Sequence, residues 1–280
     1  MKELIDRFIT TEDENLISEI TGTDFKELCI TPEWDEYNNK TKHVCSSHDV
    51  IGMHLLRCVL AERIHDYKRS LLGTCTYAEY EQFLEDGIYV WENFGPKDYD
   101  RFQVIMTFIT ARTNINFKPP WQTRKDQHVD FDLQYTCHVD TFHPAFKVFG
   151  YLNDITKEHG PYAYVKGTHR NTPEKLRWLY DASVNRSKQV MYNGLTRESN
   201  IERWNDSFRL MTEKEYCIDS EGINEYLSKY NLPNETLVTG KTNTIIITDT
   251  SGLHRKYPAT PGYTRHSSRC VVDRQNPFQL

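Results

Sequence analysis

Residues 130–140, DFDLQYTCHVD, alternate along their length. Phe131, Leu133, Tyr135 and Cys137 share one parity; Asp132, Gln134, Thr136, His138 and Asp140 share the other. Successive side chains of an extended chain point to opposite faces. The pattern therefore predicts one strand with an apolar core on one side and a polar cavity on the other.

The neighbouring segments read in the same way. IYVWENF (88–94), 101–116, 146–152, 162–165, 237–239, 244–249 and 267–272 carry the β-branched and aromatic residues of short strands. The turn 153–161, with Gly160, is expected to join two of them as a hairpin. Pro119-Pro120 forces an extended loop between strands. TYAEYEQFLEDG (76–87) reads as a helix stopped by Gly87.

Two regions are expected to be helical. In residues 1–70 the apolar positions Leu4, Ile5, Phe8 and Ile9 fall at helical spacing, and Met53 to Tyr67 repeats the pattern. Residues 171–236 are charged and punctuated by Asn and Pro, with helical stretches near Pro173–Ala182 and Glu213–Tyr230.

The expected architecture is mainly β with flanking helices, built on a double-stranded β-helix core (a cupin-like jelly roll). Residues 1–75 would form a helical N-terminal extension. Residues 76–280 would form the jelly-roll domain, with an insertion or lid at 171–236.

Composition narrows the function. The 280 residues carry a net charge of −6, which works against nonspecific nucleic-acid binding; the one basic cluster, Lys118 to Lys125, suits a small anion better than a polynucleotide. Seven cysteines without a CxxC pair signal neither a disulfide framework nor a zinc knuckle. No apolar run approaches the roughly 20 residues of a membrane helix. The first twenty residues lack an apolar leader core, so the expectation is a cytoplasmic protein acting on a small molecule, its oligomeric state left open.

The tripeptide HVD occurs twice, at 128–130 and 138–140. Each copy puts an imidazole and a carboxylate on one strand face, and with a distant histidine either could form a 2-His-1-carboxylate triad that leaves metal positions open. His138 ends a strand whose other face is apolar, whereas His128 follows the polar TRKDQ, so the second copy is preferred.

The block HVDTFHPAFKVFGYLNDITKEHGPYAYVKGTHR (138–170) resembles the phytanoyl-CoA dioxygenase family, with its iron-binding HxD, aliphatic-aromatic strand, acidic turn ending in Gly-Pro, and Gly-Thr-His close. DTSGLHRKYPATPGYTR (249–265) is similar to that family's distal-histidine segment, and FLEDGIYVWENF (83–94) to its opening. The resemblance spans roughly residues 78–275. It implies iron(II) on His138, Asp140 and His254, with Arg265 gripping the carboxylate of 2-oxoglutarate.

It further implies dioxygen as the second co-substrate, ascorbate as a possible reductant, and release of succinate and carbon dioxide. Asp140 stands where halogenating relatives have a small residue, which points to hydroxylation. Strand alternation puts Arg269 on the same face as Arg265; Arg255 and His266 compete with it for the anion. Phe142, Phe149 and Tyr151 are expected at the cavity wall, and His143, His159 and His169 away from the metal. Lys256 stands where relatives have a small hydroxyl residue.

Two other classes fit parts of this pattern: a non-catalytic jelly-roll protein that binds a metal or ligand, and a zinc hydrolase using the same three ligands.

Overall fold

The computed structural model describes residues 50–112, 121–130, 132–141, 143–179, 181–182, 210–212 and 219–272. The expected helices before residue 50, Pro119-Pro120, Lys118, Phe131 and Phe142 lie outside them. Among the described residues, no helix is long and apolar enough to cross a membrane.

Four helices carry labels here: α1 (Val50–Ser70), α2 (Ala78–Asp86), α3 (Tyr99–Thr110) and α4 (Ser220–Ser228). Ten strands follow: β1 (Ile88–Trp91), β2 (Gln122–Gln127), β3 (His138–Val139), β4 (Phe146–Tyr151), β5 (Tyr162–Tyr164), β6 (Leu210–Met211), β7 (Thr236–Val238), β8 (Ile245–Asp249), β9 (His254–Lys256) and β10 (Thr264–Val271).

The strands make two antiparallel sheets, β1-β8-β4-β10-β2 (sheet A) and β6-β3-β9-β5-β7 (sheet B). From β2 to β5 and from β7 to β10 the chain steps from one sheet to the other at every strand. The protein is therefore β-rich with flanking helices, as expected.

The sheets pack face to face. Ile88, Tyr151 and Ile246 of sheet A meet Tyr162, Tyr164 and Val238 of sheet B in one buried cluster. The far side of sheet A, through Phe146, Val148, Ile247 and Cys270, is covered by Tyr80 and Phe83 of α2 and by Phe102, Ile105, Met106 and Ile109 of α3. Three layers result: helices, sheet A, sheet B.

Helix α2 ends where its sequence says. Gly87 takes φ 73, and its N–H bonds to Phe83 O at 2.8 Å. A Cβ at this position would also run into the His169 ring.

Three expectations are corrected. The segment 101–116 is helical as far as Thr110. Phe102, Ile105, Met106 and Ile109 are spaced i, i+3, i+4, i+7 and all are buried, so helical periodicity overrode β-branched composition. The hydroxyls of Thr107 and Thr110 bond back to Gln103 O (3.0 Å) and Met106 O (2.7 Å), an arrangement helices accommodate.

The second correction concerns 130–140. Asp132 accepts the Gln134 N–H (2.9 Å) and its carbonyl the Tyr135 N–H (2.9 Å), which winds Leu133–Tyr135 into a 3-10 turn. Only His138 and Val139 are strand. Thr136, Cys137, His138 and Val139 are all buried, so the alternation does not separate a wet face from a dry one.

The third is the hairpin. β4 lies in sheet A and β5 in sheet B, so the turn ending at Gly160 carries the chain between sheets. The segment 171–236 also enters sheet B, where β6 pairs with β3, His138 opposite Met211; the same segment contains a helical run at 173–179 and α4.

Helix α1 is fastened to this body by polar contacts. Arg170 pairs with Glu62 (3.1 Å) and Asp66 (2.7 Å), and His65 Nε2 bonds to Ile109 O at 2.9 Å. Burial, then Arg69, lowers the His65 pKa to about 3; burial, then Arg170 and Lys175, does the same for His169. Both histidines are thus held neutral.

A histidine with a depressed folded pKa stabilises the fold above its unfolded value of 6.5 and withdraws that stability as pH falls towards 3. Stability should drop between pH 6.5 and 4.5, by up to about 1.4 kcal/mol per pH unit for each group. Urea midpoints measured at pH 7 and pH 5 test this; equal midpoints would refute it.

Candidate metal centre

Strands β3 and β9 are neighbours in sheet B with His138 directly opposite His254, and both imidazoles are buried. Their rings lie 4.4 Å apart at 56°. Asp140 leaves β3 with its N–H on Thr250 O (2.9 Å), which turns the carboxylate towards both rings. His138 Nε2 is 3.6 Å from Asp140 Oδ1, and His254 Nε2 is 3.5 Å from Asp140 Oδ2. One ligand atom from each residue lies within 4.8 Å of the others.

The orientation of the rings is fixed from behind. His138 Nδ1 donates to Thr136 O at 2.6 Å, and His254 Nδ1 donates to Gly252 O at 2.9 Å. A backbone carbonyl at Nδ1 holds the proton there and presents the Nε2 lone pair forward, the tautomer a metal ligand needs. Two neutral imidazoles and a carboxylate suit a divalent ion of the iron or zinc type bonded at about 2 Å.

Gly252 is needed for that turn. A Cβ there would fall 2.0 Å from the Tyr164 hydroxyl, which itself donates to Asp249 O at 2.9 Å. The TSGLH turn is thereby clamped between β8 and β9.

Lys147, on the inner face of β4, donates to Asp140 Oδ2. Burial alone would raise the Asp140 pKa; His254 and His138, where protonated in the absence of an ion, and Lys147 outweigh it and hold the carboxyl far below the ordinary range. The group is a carboxylate at any working pH. Tyr162, its ring tilted 5.6 Å from His254 and 5.1 Å from Phe149, is kept neutral by burial; its hydroxyl is 3.2 Å from Thr248 Oγ1.

Next to these residues the space between the sheets holds a second charged group. Arg265 donates through Nη1 to Gly160 O (2.6 Å) and through Nη2 to Asp126 (2.9 Å). Lys256 reaches across from sheet B to Asp126 and Asp132, each at 3.2 Å. Gly160 has φ +68, and a Cβ there would meet Tyr257 O at 2.6 Å, so the glycine keeps its carbonyl available to Arg265.

The other candidates are spread out. His128 and Asp130 are 3.5 Å apart at the surface, with Asp130 fully exposed. His169 Nε2 bonds to Leu84 O (3.1 Å) behind sheet A, His143 Nδ1 to Pro144 O (2.9 Å), and His159 Nδ1 lies 2.9 Å from Thr156 Oγ1. Arg255 is buried in a pair with Glu235 on the opposite face of β9. Arg269 lies on the face of β10 shared with Arg265, and Phe149 lies between the sheets.

Sequence reading passed over Lys147, Asp126 and Tyr162. For Lys147 a signal was present: in FKVFGY it shares its parity with Phe149 and Tyr151, an odd place for an ammonium unless a carboxylate faces it.

A buried His-Asp-His cluster able to hold a metal ion, set in a two-sheet β protein, is what fold and site define. No family model matches the chain, and no curated protein matches it. Among solved structures, it is similar to HygX from Streptomyces hygroscopicus with nickel and 2-oxoglutarate bound (15% identity, 70% of this chain, 85% of that one, TM-score 0.32). It is also similar to EctD from S. alaskensis with 2-oxoglutarate and 5-hydroxyectoine (12%, 74% and 80%, 0.33). A third is SnoK, a non-heme alpha-ketoglutarate-dependent carbocyclase from nogalamycin biosynthesis (9%, 71% and 83%, 0.33). Scores this low define no common fold, and the functional reading rests on the site itself.

Proposed function

We propose that this chain is an iron(II)- and 2-oxoglutarate-dependent oxygenase that hydroxylates an unactivated C–H bond of a small molecule, and that its facing sheets form a double-stranded β-helix. The observation that carries the reading is the His138, Asp140, His254 cluster, with both Nδ1 protons committed to backbone carbonyls. Three protein ligands leave positions on the ion for a chelating oxo-acid and dioxygen. When bound, these groups supply oxidative decarboxylation to succinate and carbon dioxide together with the oxidising equivalent for the substrate.

The chain's own residues orient and exclude. His138 and His254 would hold the ion together with Asp140, one of whose carboxylate oxygens is already engaged by Lys147. Arg265 is the carboxylate clamp in this reading. Its Nε is buried without a partner among the described residues, which leaves a donor for an incoming anion next to the one shared with Asp126. Phe149, Tyr151 and Tyr162 wall the space and keep water out.

Anaerobic addition of Fe(II) and 2-oxoglutarate should produce a weak visible metal-to-ligand band. His138→Ala should abolish the band and Arg265→Ala should weaken it strongly, while His128→Ala should leave it intact. A well-folded wild type without a band would overturn the proposal.

A further inference from the structure

Cations facing the space between the sheets are matched to carboxylates: Lys147 to Asp140, Lys256 to Asp126 and Asp132, and Arg265 to Asp126. Arg269 and Arg124 break the pattern. Among the described residues neither makes an ion pair. Arg269 Nη2 donates to the neutral Gln122 amide oxygen at 3.3 Å, and its Nε is buried with no partner.

The strand register brings the two together. On β10 and β2, Arg265 opposes Asp126, Ser267 opposes Arg124, and Arg269 opposes Gln122, so Arg124 is the diagonal neighbour of Arg269 on one face. That face is the inner one, because Asp126 on it also meets Lys256 of the other sheet. Arg124 is exposed and Arg269 half-buried, so the pair runs inward from solvent.

Burial, then the charge of Arg124, lowers the Arg269 pKa, while the fields of Asp140 and Asp126 act the other way. Across β10 and β4, Arg269 opposes Phe149 and is thereby the diagonal neighbour of Lys147, which donates to Asp140. Two adjacent guanidiniums repel each other, and a divalent ion on Asp140 would leave them less compensated still. A planar fork with unused donors beside a second fork suits an anion with two or more oxygens.

We propose that Arg269 and Arg124 form an anion subsite on the inner face of sheet A, beside the metal centre, which takes the carboxylate or phosphate group of the substrate to be oxidised. The assignment of that anion to the oxidised substrate rests on the oxygenase reading; the subsite itself does not. Arg265, further along β10 and already shared with Asp126, remains the co-substrate's residue.

Two arms separate the possibilities. Titrating the metal-free full chain with inorganic phosphate by calorimetry should show binding. Arg269→Gln and Arg124→Gln should each weaken it by about tenfold or more, the worth of one charge-assisted hydrogen bond. Arg269→Lys should restore it in part.

In the second arm, the Fe(II) and 2-oxoglutarate band should survive Arg269→Gln with unaltered affinity. No phosphate binding by the wild type, or undiminished binding by a folded Arg269→Gln, overturns the subsite. Loss of the band in that variant also overturns it, by making Arg269 the co-substrate clamp. A wild type that binds phosphate through Arg269 yet gives no band supports the subsite and sinks the oxygenase.

Discussion

Asp140→Ala should lower divalent-metal affinity by at least about a hundredfold, beyond the range that outer hydrogen-bond partners of a ligand command. Asp140 is the anionic member of the cluster; without it two neutral imidazoles face the ion. The same change removes the carboxylate to which Lys147 donates between the sheets. The metal-free protein should therefore also lose about 1–2 kcal/mol of stability, the result of taking one partner from a partly buried polar pair.

Asp140→Asn separates the two effects. It keeps the shape and an acceptor for Lys147 but not the charge, so metal affinity should fall while most of the stability returns. Calorimetric titration with Co(II) or Fe(II), paired with urea denaturation in EDTA, reads both quantities. Metal affinity close to the wild type in Asp140→Ala would show that the ion is held elsewhere.

Glu235→Ala should cost about 3–5 kcal/mol of folding stability, the range for breaking one side of a buried ion pair. Arg255 and Glu235 have side-chain exposures of 0% and 1%. The guanidinium grips the carboxylate at both oxygens, Nε to Oε2 at 2.7 Å and Nη2 to Oε1 at 2.6 Å, and sends Nη1 to Tyr135 O at 3.2 Å. The Tyr257 ring lies 5.1 Å from its centre. Removing the carboxylate strands this charge in a medium that solvates it poorly.

The double replacement Arg255→Met with Glu235→Leu should recover most of the loss, because an apolar pair of similar volume carries no desolvation cost. Arg255 is the chain neighbour of His254, and the Glu235 N–H bonds to Asn224 Oδ1 of α4 at 2.8 Å. Glu235→Ala should consequently loosen β9 as well, raising the metal dissociation constant. Denaturant unfolding free energies of the two variants decide the matter, and a loss below about 1 kcal/mol for Glu235→Ala would mean that water reaches the pair.

How much of this was legible in the residues depended on range. Gly87 as a helix stop, β1 after it, and β4, β5, β7, β8 and β10 were readable because capping and strand propensity act over a few residues. Helix α3 was misread from composition, although its periodicity was in plain view. The HVD copies were indistinguishable as tripeptides; what differs is their surroundings, the exposed chain just after β2 for His128 and a strand inside sheet B for His138.

By itself, then, the sequence determined the local conformations and the residue types a metal site requires, since both follow from side chains close along the chain. Tertiary structure decided which histidines meet, that the Gly160 turn changes sheets, that Lys147 faces Asp140, and that Arg265 shares Asp126 with Lys256 while Arg269 has no carboxylate. The physical reason is that pairing register and charge compensation are set by groups up to 147 residues apart, as for Gln122 and Arg269. No local pattern along the chain encodes such a distance.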